Sequence, residues 1–312
     1  MMKRPLTILL ILCLFASHQL IAQDKSVKEK PGKQGLQRAS KPEDPEKKVT
    51  RWNLGLNIGM YDANKYPANF YNGSDQNMNK VNYVISNYYW KNDIKRSLGL
   101  STTDSIKVGE FPTNMHYKVV ISFGLFARYN LSKYNGICID ANYTQLKAEN
   151  VVTFLVNPQY NYTFPDIRLI PISGVEQRIH FDLLLQHNFW LRSKIYLFLQ
   201  GGLNMNYLRV QKSIIYFDKE YSLINIYGSQ GYLQGTVQQE NQVVEGGFGY
   251  GLNLGGGAGI PLVDKFGIEP GGFINYNNVA LIGYTQFKVS FGFYLRILFG
   301  NIRPPLDADE NR

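Results

Sequence analysis

The residues able to do chemistry are few in this 312-residue chain, which holds four histidines and two cysteines. Acyl or lipid-chain transfer would want a serine, a histidine and an acid converging at one level. His180 and Asp182 stand two residues apart and share a face of any strand, and His116 lies upstream, but spacing places no serine with them. His187 sits between Leu185 and Phe189 on an apolar face, where a ligand role is unexpected. Scattered histidines with Cys138 give no metal-ligand spacing. The row Gly249, Gly251, Gly255, Gly257 and Gly259 would cradle a phosphate only at a strand-to-helix junction, and no helical period follows it. No catalytic residue, metal site or cofactor is expected. What remains is a set of isolated charges, Arg128, Asp140, Asp182, Glu269 and Arg296, each flanked by apolar neighbours. Their chemistry is mutual neutralisation in an enclosed space, or an ion path if that space is wet.

The elements that position those charges alternate with period two. Leu54, Leu56, Ile58 and Met60 alternate with Asn53, Gly55, Asn57 and Gly59. Seven further segments repeat the pattern: 117–130, 137–143, 179–191, 195–207, 248–260, 266–275 and 287–299. Such alternation gives each strand one apolar and one polar face. Most segments exceed the five or six residues usual for soluble strands and reach the ~9–11 that a tilted strand needs to cross a bilayer. The connections at 132–136, 192–194 and 261–265 are short, whereas 62–112, 148–177 and 211–245 are long. The sequence therefore predicts an all-β fold: an eight-stranded antiparallel transmembrane β-barrel with long extracellular loops and short periplasmic turns. On this map the five charges form a lumen network, with Arg128 near Asp140, Glu269 near Arg296, and Lys118 or Lys288 in reach of Asp182. Aromatic girdles are expected at Trp52, Tyr129, Phe189, Phe266 and Phe299 on the periplasmic side. Tyr117, Tyr143, Tyr207, Phe248 and Phe287 would form the outer one.

The flanks agree with export. Lys3 and Arg4 precede an apolar run over 6–16 and small residues ending Ile21-Ala22-Gln23, which reads as a signal peptide over 1–22. A lipoprotein signal is disfavoured, because Cys13 lies mid-run behind Leu12. Only Cys138 remains in the mature chain, so an intramolecular disulfide is excluded. Residues 23–50 carry eight basic and five acidic side chains and almost nothing apolar. They read as a disordered basic periplasmic tether, either a spacer or an arm contacting a partner. The net charge of +9 is scattered, which argues against nucleic acid. The barrel is assigned to 51–300 and a periplasmic tail to 301–312.

The signal ending Ile21-Ala22-Gln23, the glycine- and aromatic-rich strands and the last strand closing at Phe299 resemble the small PorT-like outer-membrane barrels of Bacteroidetes. The resemblance rests on architecture; the 62–112 loop and the tail beyond Phe299 depart from the simplest pattern. It implies outer-membrane lipid as surroundings and the barrel-insertion machinery as a partner, with Phe299 as its terminal aromatic signal. It also implies a setting in type IX secretion or gliding machinery. Tyr88, Tyr89 and Trp90 in the first loop are the candidate partner-contact residues. The resulting expectation is a non-enzymatic accessory or scaffold subunit of an envelope complex, contacting proteins through its loops or tether. A narrow solute or ion channel is the alternative, and a lipid-modifying barrel enzyme comes third.

Overall fold

A computed structural model describes residues 52–74, 80–132, 134–157, 166–192, 195–217, 223–225, 245–263 and 265–300. The signal peptide, tether and tail expected at 1–22, 23–50 and 301–312 lie outside the described residues. Eight strands form the ring: β1 (Trp52–Asp62), β3 (Val120–Asn130), β4 (Asn135–Val156), β5 (Asp166–Arg192), β6 (Ile195–Tyr216), β8 (Gly246–Val263), β9 (Phe266–Asn277) and β10 (Lys288–Phe299). Each pairs antiparallel with its chain neighbour, and β1 pairs with both β3 and β10, so the sheet closes on itself. Closure leaves no unpaired edge in the wall, the condition for crossing hydrocarbon with strands. Two short strands, β2 (Ile106–Val108) and β7 (Leu223–Asn225), add to the outer ends of β4 and β6.

Burial follows the alternation. Along β1 every second residue is buried, while Leu54, Leu56, Ile58 and Met60 face outward. The outward row continues through Ile121, Phe123, Leu183, Leu203, Leu254 and Phe293, all exposed. At ~3.3 Å per residue an 11-residue strand spans about 36 Å, and a ~45° tilt reduces that to the ~25 Å apolar band of a membrane barrel. An apolar belt on the outside of a closed ring, with polar residues inside, is a lipid-facing wall. Among the described residues no helix is long and apolar enough to cross a membrane; the strands do so.

Rings mark both rims of that belt. Trp52 lies 5.0 Å from Tyr129, and Phe266 lies 5.7 Å from Phe299, on the side of the short turns. On the opposite rim Tyr207 lies 5.0 Å from Phe248, and Phe287 sits between Tyr250 and Tyr276. Tyr117 is a correction. Its ring is buried rather than lipid-facing, because the chain before β3 breaks the alternation and Tyr117 bridges to inward-facing Ala148.

The expected loop 148–177 is corrected too. Strands β4 and β5 continue through it as a paired hairpin from Ala148↔Gly174 to Val156↔Asp166. In this extension the inner face turns apolar, with Leu146, Ala148, Val152, Phe154, Ile170 and Ile172 buried. Sequence reading ended the strands where inside-polar alternation ended. The ladder continues because a second apolar core forms there. On β6 a register shift opposite Val175/Glu176 re-aims the chain, so that Ser213 and Ile215 point inward after Val210.

The first loop supplies the rest of this core. It contains a 3-10 turn (Pro67–Tyr71) and two helices, α1 (Val81–Ser86) and α2 (Tyr88–Ser97), none of which the alternating pattern signals. Ala68, Phe70, Tyr71, Val81, Val84 and Ile94 are buried against the strand extensions. Each large apolar side chain so placed contributes about 1.5–3 kcal/mol. Helix α2 ends at Gly99, whose φ of 69° lets Leu100 donate back to the Lys95 carbonyl at 2.8 Å.

Candidate functional site

The lumen divides into three levels: a charged plug at the short-turn end, a polar chamber above it, and a latch beneath the cap.

In the plug, Glu269 of β9 accepts from Arg128 Nη1 of β3 and from Arg296 Nη1 of β10, both at 2.7 Å. Tyr196 of β6 also donates to Glu269. Arg296 Nη2 reaches Asp140 of β4 at 3.0 Å, and its Nε donates to Asn57 of β1 at 3.1 Å. Asn57 in turn donates to Asp140 at 2.7 Å. Arg296 lies over the Phe126 ring, its guanidinium carbon 3.5 Å from the centroid. Arg128, Asp140, Glu269 and Arg296 are all buried. Neighbour pairing by sequence suggests Arg128 beside Asp140; instead Glu269 bridges both arginines, and Asp140 belongs to Arg296. Glycines admit the large rings of this layer. A Cβ at Gly259 would fall 2.0 Å from the Tyr196 ring, and one at Gly257 would fall 2.8 Å from Phe198.

Asp182 stands apart from the plug. Asn204 donates to its Oδ1 at 2.7 Å, and Asn277 supports Asn204 at 2.7 Å. The expectation that Lys118 or Lys288 reaches it fails. Lys118 is on the outside, ion-paired with Glu149, and Lys288 lies over the Tyr66 ring. Asp182 lines a chamber of about 20 Å³ together with Asn57, Thr144, His180, Gln200, Asn253 and Asn275. Ser122 lines it as well, so serine, histidine and acid do share one level, which spacing had not revealed. They form no triad, since neither nitrogen of His180 has a hydrogen-bond partner and its ring packs edge-on to Tyr61 at 5.1 Å. His116 is exposed near the outer end, and His187 sits at the short-turn rim, bonded to Asn135 at 2.7 Å.

The latch was missed by sequence reasoning. Glu176 of β5 accepts from Tyr71 at 2.8 Å, from Tyr117 at 3.0 Å and from Arg178 Nε at 2.6 Å. The Tyr71 ring rests on Gly174, where a Cβ would fall 2.1 Å from ring carbons. Burial, then the Glu176 carboxylate, raises the Tyr71 phenol well above its ordinary range and keeps it a donor. The available signal was parity, because Glu176 and Arg178 continue the inward row of His180 and Asp182.

Of the candidate contact residues, Tyr88 is 85% exposed at the start of α2, whereas Trp90 packs partly against the cap core. Tyr89 is on the same helix, its side chain outside the described residues. Phe299 ends β10 on the lipid face, opposite Leu54. Among the described residues no cluster of histidine, cysteine, aspartate and glutamate could hold a metal ion.

The sequence matches no protein-family model. Nor does it match any curated protein. Solved structures that resemble the fold include Neisserial surface protein A, 8% identical, with 80% of this chain and 96% of that chain covered and a TM-score of 0.37. The outer membrane protein OprG from Pseudomonas aeruginosa is 10% identical, covering 81% and 94%, with a TM-score of 0.36. Ail, the attachment invasion locus protein of Yersinia pestis, is 10% identical, covering 80% and 97%, with a TM-score of 0.30. At these values the likeness carries no argument by itself; the barrel stands on its own register and burial.

Proposed function

We propose that the chain is a non-enzymatic outer-membrane β-barrel that serves as a scaffold subunit of an envelope complex. One observation carries this reading: the wall faces lipid while both ends of the lumen are filled, by the ionic plug below and the latched apolar cap above. What then faces solution is the outer surface of the cap, with Tyr88, and the β4–β5 extension, with Ile167 and Leu169 exposed beyond the lipid band. Exposed aromatic and aliphatic groups there suit contact with another protein. The basic tether over 23–50 is the second proposed contact, on the periplasmic side. A type IX secretion or gliding setting rests on the PorT-like resemblance alone. Phe299 is the proposed signal to the insertion machinery.

Gentle detergent extraction of the tagged protein, followed by mass spectrometry, tests the reading. A stoichiometric partner should be recovered and then lost when Tyr88 is changed to Ser and residues 80–100 are shortened. A clean, heat-modifiable monomer without partner under cross-linking would refute it. The polar chamber favours a second reading, a narrow ion path. That path predicts single-channel conductance in planar bilayers that changes with Arg128→Ala or Arg296→Ala.

A further inference from the structure

Within the membrane-spanning part of the lumen, the inward charges do not cancel. Arg128 and Arg296 supply two positive charges, whereas Asp140, Glu269 and Asp182 supply three negative ones. The plug consumes both arginines, and Asp182, 5% exposed, forms no ion pair among the described residues. The Glu176–Arg178 pair above is neutral as a unit. By formal charge, one buried negative group is thus left over, beside a chamber with room for a water-sized body.

The chamber's own atoms point the same way. Five buried oxygens of its lining residues have no hydrogen-bond partner: the amide oxygens of Gln200, Asn253 and Asn275 and the hydroxyls of Tyr61 and Thr144; the two ring nitrogens of His180 are unpartnered as well. The amide nitrogens are committed where bonds are made, as in the Gln200 Nε2 bond to Tyr294 at 3.2 Å. A buried orphan acceptor costs about 1–3 kcal/mol, and an unpaired buried charge costs more. The three amide oxygens can only accept, so the partner they lack must be positive or donate. Carboxylate and amide oxygens are hard ligands, which suit hard cations such as sodium, calcium and magnesium. A surplus of one charge selects a monovalent ion.

We propose that this chamber binds one small monovalent cation of sodium size, held by the Asp182 carboxylate and the surrounding amide and hydroxyl oxygens. Bound there, the ion neutralises the lumen and ties β4, β5, β6, β8 and β9 together at mid-depth. The site stands whether or not the barrel docks a partner.

The test uses the full mature chain folded in detergent, with its urea midpoint followed as sodium replaces choline at fixed ionic strength. The midpoint should rise to saturation with sodium. Asp182→Asn should abolish the response, and Asn275→Ala, which keeps the charge, should weaken apparent affinity about tenfold. Coincident sodium and choline curves would overturn the proposal, as would an undiminished response in Asp182→Asn. A protonated-carboxyl infrared band at neutral pH that disappears in Asp182→Asn would also overturn it, because a neutral Asp182 removes the surplus charge. Should Asp182→Asn fail to fold, Asn275→Ala decides the matter. A weakened sodium response supports the site, and an undiminished one sinks it.

Discussion

Replacing Glu269 by Gln is the most informative single change, because the shape is kept and only the charge leaves. Glu269 is fully buried and holds two arginine contacts of 2.7 Å besides the Tyr196 bond. A glutamine can still accept through one oxygen, but its amide nitrogen must then face an arginine donor. Arg128 would keep no carboxylate partner among the described residues, while Arg296 would retain Asp140. Breaking a buried pair by removing one partner costs about 3–5 kcal/mol, and charged hydrogen bonds are worth about 1.5–3 kcal/mol each. The expected loss is therefore about 3–5 kcal/mol, large beside typical marginal stabilities. Reversible urea unfolding in lipid vesicles, followed by tryptophan fluorescence and by heat-modifiability on gels, measures it. Adding Arg128→Met should recover about 1–2 kcal/mol, since the orphaned cation goes and an apolar stem remains. A loss below about 1 kcal/mol for Glu269→Gln would refute the reasoning. So would a double variant no more stable than the single one.

Other outcomes follow from neighbouring features. Gly202→Ala places a Cβ 2.0 Å from the Leu183 carbonyl, whereas Gly201→Ala meets nothing nearer than 3.5 Å. The first should impair folding yield in vesicles and the second should not. Gly174→Ala should displace Tyr71 and release the cap, read as faster hydrogen exchange across 66–74 and 80–97 with β1 protection unchanged. On the exterior, Lys118 and Lys147 hold the Glu149 carboxyl below its ordinary value. That depressed value means a contribution present at neutral pH and lost as pH falls through the acidic range. The group is partly solvated, so Glu149→Gln should cost under about 1 kcal/mol at pH 7 and nothing near pH 3.

Much of the barrel was legible because alternation in a closed wall is a strict code: Leu54, Phe123, Leu203 and Phe293 had to face one way if Asn57, Arg296 and Glu269 faced the other. The code fails where its premise fails. Beyond Thr144 and Glu176 the inside turns largely apolar, so Leu146–Phe154 reads as loop although the ladder continues. Tyr117 was misplaced by an irregularity that no residue type announces. Helices α1 and α2 were hidden because α2 carries its apolar residues on a short, otherwise polar turn pair. Inside the lumen, parity located the five charges, but which acid met which arginine depended on side-chain reach across the bore. Arg296 spans to Asp140, contributed by a strand that is not its neighbour.

That cross-bore reach bears on the order of assembly. Asn57 lies on the first strand of the wall and Arg296 on the last, 239 positions apart, and the two meet across the line where the ring shuts. Until β10 arrives, Asp140, Glu269 and Asn57 lack the guanidinium that joins them. A partly inserted chain thus carries uncompensated acid in its half-open interior. Satisfying those groups rewards completion rather than partial pairing. Bringing such distant positions together also carries the entropic cost of closing a long loop. The plug is in this sense a clasp, and a chain truncated before Arg296 would lack the group that fastens it.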